Sequence, residues 1–226
     1  MEDHACSHPG DTILMDDPAV TSVPVLESSE PLVDLALNAT LLFDDRLADP
    51  KGLYRMVRAG LAERLGRAAS SLPAGVRLLI VEGYRPPELQ LAYFDAYLAE
   101  MHQRYPRQSE EELHSLASRY VAPPGGLPPH CAGAAIDLTL ADDNGIELEM
   151  GTQINESPEA SDGRCYFASP DISRECRSNR ALLSSVLGGA GLVNYPTEWW
   201  HWSYGDRYWA LVTGSRSAIY GLSATP

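Results

Sequence analysis

The chain has 226 residues, 44% hydrophobic and 21% charged, a balance that suits one globular unit with a substantial core. Its net charge of −14 repels polyanions, which argues against nucleic acid and against an anionic membrane surface as partners. No apolar run reaches a membrane span and the N-terminus lacks a secretory pattern. The cysteines Cys6, Cys131, Cys165 and Cys176 form no C-x-x-C pair, so a cytoplasmic protein with free thiols is expected and a cysteine zinc site is not.

Residues 1–30 mix acidic residues, Pro and Ser with short apolar patches and read as an N-terminal arm. His4, Cys6 and His8 within it read as a tail rather than a metal site. A short strand is expected over 38–43, turned by Asp44 and Asp45. Leu53, Met56, Val57, Leu61 and Leu65 recur at helical spacing, which predicts a helix over 53–69. Pro73-Ala74-Gly75 ends it. The run 76–81 is apolar and β-branched, the pattern of a buried strand. It leads into Glu82-Gly83-Tyr84-Arg85-Pro86-Pro87, where the prolines suit the start of a helix over 87–103. Arg85 therefore stands at the mouth of a core strand, as a surface ion pair or as a site residue.

A second helix is expected over 109–120, opened by Ser109 and Glu112 in capping-box spacing; His114 reads as a solvated helix residue. The stretch 122–129, rich in Pro and Gly, can continue neither helix nor ladder. It delivers His130-Cys131-Ala132-Gly133-Ala134-Ala135-Ile136-Asp137. Alternation over 135–140 places Ala135, Asp137 and Thr139 on one strand face, and an aspartate in an apolar strand needs a cation or hydrogen bonds. The small residues 132–134 allow His130 to fold back toward Asp137. Asp142-Asp143-Asn144-Gly145 reads as a hairpin turn with a returning strand over 146–150. A long loop over 152–171, a helix over 173–189 and a strand lead-in over 192–195 follow. The segment 206–212 is too short to assign, and the tail reads as loop.

The run Asn194-Tyr195-Pro196-Thr197-Glu198-Trp199-Trp200-His201-Trp202 sets a carboxylate and an imidazole among three tryptophans. Both are costly beside so much apolar area unless each has a partner or a task. His130, Asp137 and His201 form a three-ligand shell that leaves zinc's fourth position for water. Glu198 is then the candidate general base, and Arg85 would face the oxyanion formed when water attacks an amide carbonyl. Cys131 reads as a small buried filler.

Gly83-Tyr84-Arg85-Pro86, His130, Gly133, Ala135, Asp137, Met150-Gly151-Thr152 and Glu198-Trp199-Trp200-His201 together resemble the zinc D-Ala-D-Ala dipeptidase family (the VanX type), and more distantly zinc D,D-carboxypeptidases and hedgehog-type domains. The resemblance runs from about residue 30 to 205. It implies an α+β fold, a small mostly antiparallel sheet flanked by helices, in a catalytic domain spanning 31–226. It implies Zn2+ on His130, Asp137 and His201, Glu198 as base, Arg85 as transition-state stabiliser, and a small peptide or amino-acid-derived substrate. Tyr84, Asn155 and Trp200 are the candidate substrate contacts. Two positions depart from the family pattern. Pro128 stands where the family has a serine, and Asn155 where it has an aspartate, both near the substrate's ammonium. The expected activity is hydrolysis of a D-amino-acid dipeptide. The alternatives are an altered substrate, such as an N-blocked amino acid or a biosynthetic intermediate, with amide formation or cyclisation as further variants, or a metal-containing binding module.

Overall fold

The computed structural model describes residues 12–223, so His4, Cys6 and His8 lie outside the described residues. The centre is a five-stranded sheet in the order β2 (Leu42–Phe43), β4 (Val76–Glu82), β5 (Ala135–Asp142), β7 (His201–Ser203), β6 (Val193–Asn194). Only β2 and β4 run parallel; the other neighbours are antiparallel. A separate antiparallel pair joins β1 (Leu32–Asp34) to β3 (Met56–Arg58). The α+β architecture with a mostly antiparallel sheet is therefore observed.

Helices flank the sheet. They are α1 (Pro18–Thr21), α2 (Ala59–Ser70), α3 (Pro87–Arg104), α4 (Glu110–Ser118), α5 (Arg174–Gly189) and α6 (Arg207–Thr213). Leu61, Leu65 and Ala68 of α2 and Leu183, Val186 and Leu187 of α5 bury against Leu78, Ile80, Ile136, Leu138 and Leu140 of the central strands. Each leucine, isoleucine or valine among them, removed from water, contributes about 1.5–3 kcal/mol. A second cluster, Phe94, Tyr97, Met101, Leu113, Ala117 and Val121, holds α3 to α4. The capping box of α4 is present: the Ser109 hydroxyl accepts from the Glu112 amide, and the Glu112 carboxylate accepts from the Ser109 amide.

Three expectations change. The helix expected over 53–69 begins only at Ala59. Residues Leu53–Arg55 form one 3-10 turn and Met56–Arg58 the strand β3, because pairing with β1 overrides a spacing that alone reads as helical. The returning strand over 146–150 reduces to one bridge, Ala141 to Glu147. The unassigned segment 206–212 is the helix α6, capped by Asp206 accepting from the Trp209 amide at 2.8 Å. Residues 12–30 lie along the body. Val20 packs against Tyr195 and Tyr208, and Glu27 pairs with the buried Arg58.

No helix or strand occurs from residue 143 to 173, yet this long segment is tied down. Arg180, buried on α5, donates to the carbonyls of Met150, Arg164, Tyr166 and Phe167. Cys131, Cys165 and Cys176 are free and buried.

Candidate active site

Strand register builds the site. Across the three central strands, Glu82 of β4 pairs with Asp137 of β5, and Asp137 pairs with His201 of β7. A register irregularity in β4 between Ile80 and Glu82 brings Glu82 into this row, a common way for an edge of a ladder to re-aim a side chain. The three polar residues thus share one line across the sheet.

His130 arrives from outside the ladder, on a single 3-10 turn that follows the proline-rich loop. Gly133 ends that turn with φ of +66°. A Cβ there would come within 2.3 Å of Leu32 Cδ2, so only glycine permits both the left-handed backbone and the close approach to β1. Gly83 is similarly confined, with the Met56 carbonyl 2.6 Å from where a Cβ would stand. Its own carbonyl lies 2.6 Å from His130 Nδ1. A carbonyl can only accept, so His130 carries its proton on Nδ1 and leaves the Nε2 lone pair for the site.

Three ligand atoms converge. His130 Nε2 lies 3.1 Å from His201 Nδ1, His201 Nδ1 lies 3.0 Å from Asp137 Oδ1, and His130 Nε2 lies 3.4 Å from the same oxygen. Donors held about 2.0–2.2 Å from a tetrahedral zinc stand roughly 3.3–3.5 Å apart. Two imidazoles and one carboxylate at this spacing fit a zinc ion in both chemistry and size, and all three residues are buried. The His201 Nε2 is buried without a partner among the described residues. Burial would raise the Asp137 carboxyl, but the imidazoles of His130 and His201 override it and hold Asp137 well below the usual carboxylate range. Burial lowers the His201 imidazole, against the pull of Asp137, which keeps it neutral as a metal ligand must be.

Glu198 sits on the turn that enters β7. Its amide donates to Tyr195 O, and the His201 amide donates to Glu198 O. Asn194 fastens the turn by donating from Nδ2 to the carbonyls of Glu198 and His201, both at 2.9 Å. Burial, then the charge of Asp137, pushes the Glu198 carboxyl well above its ordinary range, while Arg85 and the Trp200 indole temper the rise. A buried carboxyl with raised proton affinity, in the same cleft as a metal shell, has the properties of a general base.

Arg85 is buried and aimed by three groups. Glu82 grips it through both carboxylate oxygens, with Nε to Oε1 at 2.9 Å. Gln90 of α3 accepts from its Nη1 at 2.9 Å and donates to the Ala122 carbonyl at 2.8 Å. The Tyr93 ring lies 4.7 Å from the guanidinium carbon. Burial works against the Arg85 charge, but Glu82 and then Asp137 raise its pKa beyond the ordinary value. Its Nη2 stands 3.9 Å from Asp137 Oδ2, so a positive group faces the metal shell. Glu82, Gln90 and Asn194 were not singled out by sequence. The available signal was a carboxylate closing an apolar strand three residues before an arginine.

His130, Asp137, His201, Glu198 and Arg85 line one cleft of about 420 Å3. Asn155 also lines it, on an exposed left-handed backbone with φ of +64°, a conformation asparagine tolerates. Two expected substrate contacts are not among the residues that line the cleft. Tyr84 is buried, and its hydroxyl donates to the Ser223 carbonyl. Trp200 is fully buried against Trp199, ring centroids 5.4 Å apart, and supports the site from behind. The residues Met150-Gly151-Thr152 also serve structure. Gly151 packs against Ile172 where a Cβ would clash, and Thr152 accepts from the Trp199 indole at 2.8 Å.

The sequence profile of the D-ala-D-ala dipeptidase family matches residues 48–213. The chain belongs to this family. A D-alanyl-D-alanine dipeptidase of Synechocystis is 30% identical over 222 residues, covering 86% of this chain and 90% of the relative. One of Escherichia coli is 30% identical over 153 residues, 67% of this chain and 69% of the relative. Among solved structures, an LdcB LD-carboxypeptidase aligns with a TM-score of 0.46 at 18% identity, over 84% of this chain and 77% of that one. VanYB in complex with D-alanine-D-alanine aligns with a TM-score of 0.45 at 16% identity, over 87% and 93%.

Proposed function

We propose that this member of the family is a zinc dipeptidase that hydrolyses the amide bond of a D-amino-acid dipeptide of the D-Ala-D-Ala type. The observation that carries the reading is the convergence of His130 Nε2, Asp137 Oδ1 and His201 Nδ1 in the cleft that Glu198 and Arg85 also line. His130, Asp137 and His201 would hold the ion. When bound, zinc polarises a carbonyl and makes water more acidic. Glu198 takes the proton of the attacking water and passes it to the leaving amine. Burial raises its proton affinity above that of a free glutamate, the direction a proton acceptor needs. Arg85, fixed by Glu82 and Gln90, presents its guanidinium to the oxyanion that develops on the carbonyl oxygen, so it favours the transition state over the bound substrate. The division into an arm of residues 1–30 and a catalytic unit of 31–226 belongs to this reading. So does a cytoplasmic setting, which the three free buried thiols suit; among the described residues no helix is long and apolar enough to cross a membrane.

A specific observation favours a second reading. Pro128 and Asn155, the positions where the family pattern places a serine and an aspartate, both line the cleft. Proline offers no hydroxyl and an amide attracts an ammonium less than a carboxylate does. A substrate with a blocked or absent amino group is the chemistry that suits this change. The test for both readings is purified protein assayed for zinc content and for cleavage of free and N-acylated dipeptides, with and without chelator. The first reading expects about one zinc per chain and chelator-sensitive cleavage of the free dipeptide. Preference for the N-acylated form selects the second. Zinc-loaded protein that cleaves neither would be a metal-containing binding module.

A further inference from the structure

The cleft is larger than the reaction needs. A dipeptide of two alanines has about eleven non-hydrogen atoms and fills roughly 150–200 Å3 at crystal packing density, against a cleft of about 420 Å3. Along α3 the cleft is lined by Gln90 beside Arg85, by Tyr93, Ala96 and Tyr97 at the i, i+3, i+4 spacing of one helix face, and by Glu100 at the exposed end. Tyr120 continues this wall, its ring centroid 4.8 Å from that of Tyr97. The hydroxyls of these two tyrosines are already engaged. Tyr97 donates to Glu159, and Tyr120 donates to the Asn155 carbonyl at 2.6 Å. Their hydroxyl protons are thus committed, and the bonds hold the rings in place as apolar wall. Leu47 and Met15 add apolar surface. Such a preformed chamber with aromatic walls, beside a small number of fixed polar groups, is the usual form of a site for an apolar side chain.

We infer that the α3 wall is a specificity chamber for a large apolar or aromatic side chain, so that the substrate is a dipeptide bearing one such residue rather than two alanines. Ala96 is the gate by size: of the five α3 residues that line the cleft, Gln90, Tyr93, Ala96, Tyr97 and Glu100, it is the one small side chain, and it stands between Tyr93 and Tyr97. The inference rests on the dipeptidase reading and narrows it. Burial of a benzyl group in place of a methyl favours the larger substrate by about tenfold or more in kcat/KM.

The experiment compares D-Ala-D-Ala, D-Phe-D-Ala and D-Ala-D-Phe, hydrolysed by the zinc-loaded protein. The inference expects at least one phenylalanine dipeptide to exceed D-Ala-D-Ala by about tenfold in kcat/KM. It also expects tighter binding of that dipeptide, measured by calorimetry on zinc-loaded Glu198→Gln protein. Ala96→Trp, at an exposed helix position and checked for folding by its melting curve, should shrink the phenylalanine-to-alanine ratio about tenfold. Cleavage of D-Ala-D-Ala as the best substrate, or a ratio unmoved by Ala96→Trp, overturns the chamber and leaves the dipeptidase reading standing. Failure to cleave any of the three, together with no calorimetric binding, overturns both.

Discussion

Across the cleft, the sheet wall and the α3–α4 wall are built by different means. Asp137 and His201 sit opposite each other in one ladder, with Glu82 next in the row. Their backbones are fixed by hydrogen bonds on both sides, and their flanks belong to the main core with Ile136, Leu138 and Trp202. The facing wall, with Tyr93, Tyr97 and Tyr120, belongs to the separate α3–α4 cluster. One wall must hold donor atoms within tenths of an ångström for chemistry; the other has only to present a shape. The difference teaches that this architecture can change what it admits without disturbing the ladder that does the chemistry. Arg85 joins the two walls, gripped by Glu82 from the sheet and by Gln90 from α3.

The comparison breaks most completely if the sheet wall can lose a donor without consequence. His201→Ala should lose bound zinc, measured by mass spectrometry, and reduce turnover to background, because ligand loss exceeds the roughly 100-fold cost of losing a mere supporting group. Retained zinc and turnover would show that the three donors are not the metal shell. Next in size, Glu198→Gln should keep its zinc while kcat falls about 10²–10⁴-fold; undiminished kcat removes Glu198 as base.

Arg85→Ala tests the joint. It should lower kcat about 10²–10³-fold with KM little changed, since the oxyanion exists only beyond the bound substrate. It also strands the buried Glu82 carboxylate, costing about 3–5 kcal/mol of stability by chemical denaturation. A change in KM alone would reassign Arg85 to binding the substrate's carboxylate.

The smallest effect lies behind the sheet wall, at Asp206. Burial raises its carboxyl from 3.8 to about 6, against hydrogen bonds from the Trp209 amide and Ser203 that favour the charge. Because the folded pKa is the higher one, its contribution to stability is full below about pH 3.8 and is lost as pH rises through about 6. Two pKa units correspond to about 3 kcal/mol. Asp206→Asn, which cannot titrate, should lack this decline, so the stability difference between variant and natural protein shifts toward the variant between pH 4 and 8. Parallel stability curves would place the titration elsewhere.

Much of this was legible in the chain. The apolar run before Glu82, the alternation around Asp137 and the Ser109–Glu112 cap each encode local structure through nearest neighbours, and each element formed. The segment 53–58 misled because Leu53, Met56 and Val57 match a helical period equally well as a 3-10 turn followed by a strand. The deciding partner, Leu32–Asp34, is distant in sequence. Tyr84 and Trp200 lie outside the cleft lining for a related reason: adjacency in the chain to Arg85 and His201 does not carry a side chain into the same cleft, and each of the two is buried in packing of its own.

The sequence by itself determined which chemical groups exist and which local element carries each: two imidazoles, an aspartate in a strand, a glutamate on a turn, an arginine at a strand's mouth. Only the tertiary structure decided that Glu82, Asp137 and His201 fall in one row, that Gly83 fixes the His130 tautomer, and how much room remains beside them. The physical reason is that alternation along a strand fixes which face a side chain takes. The register that aligns side chains across strands is set by pairing between segments far apart in the chain, and cleft volume by how separate clusters come to rest against each other.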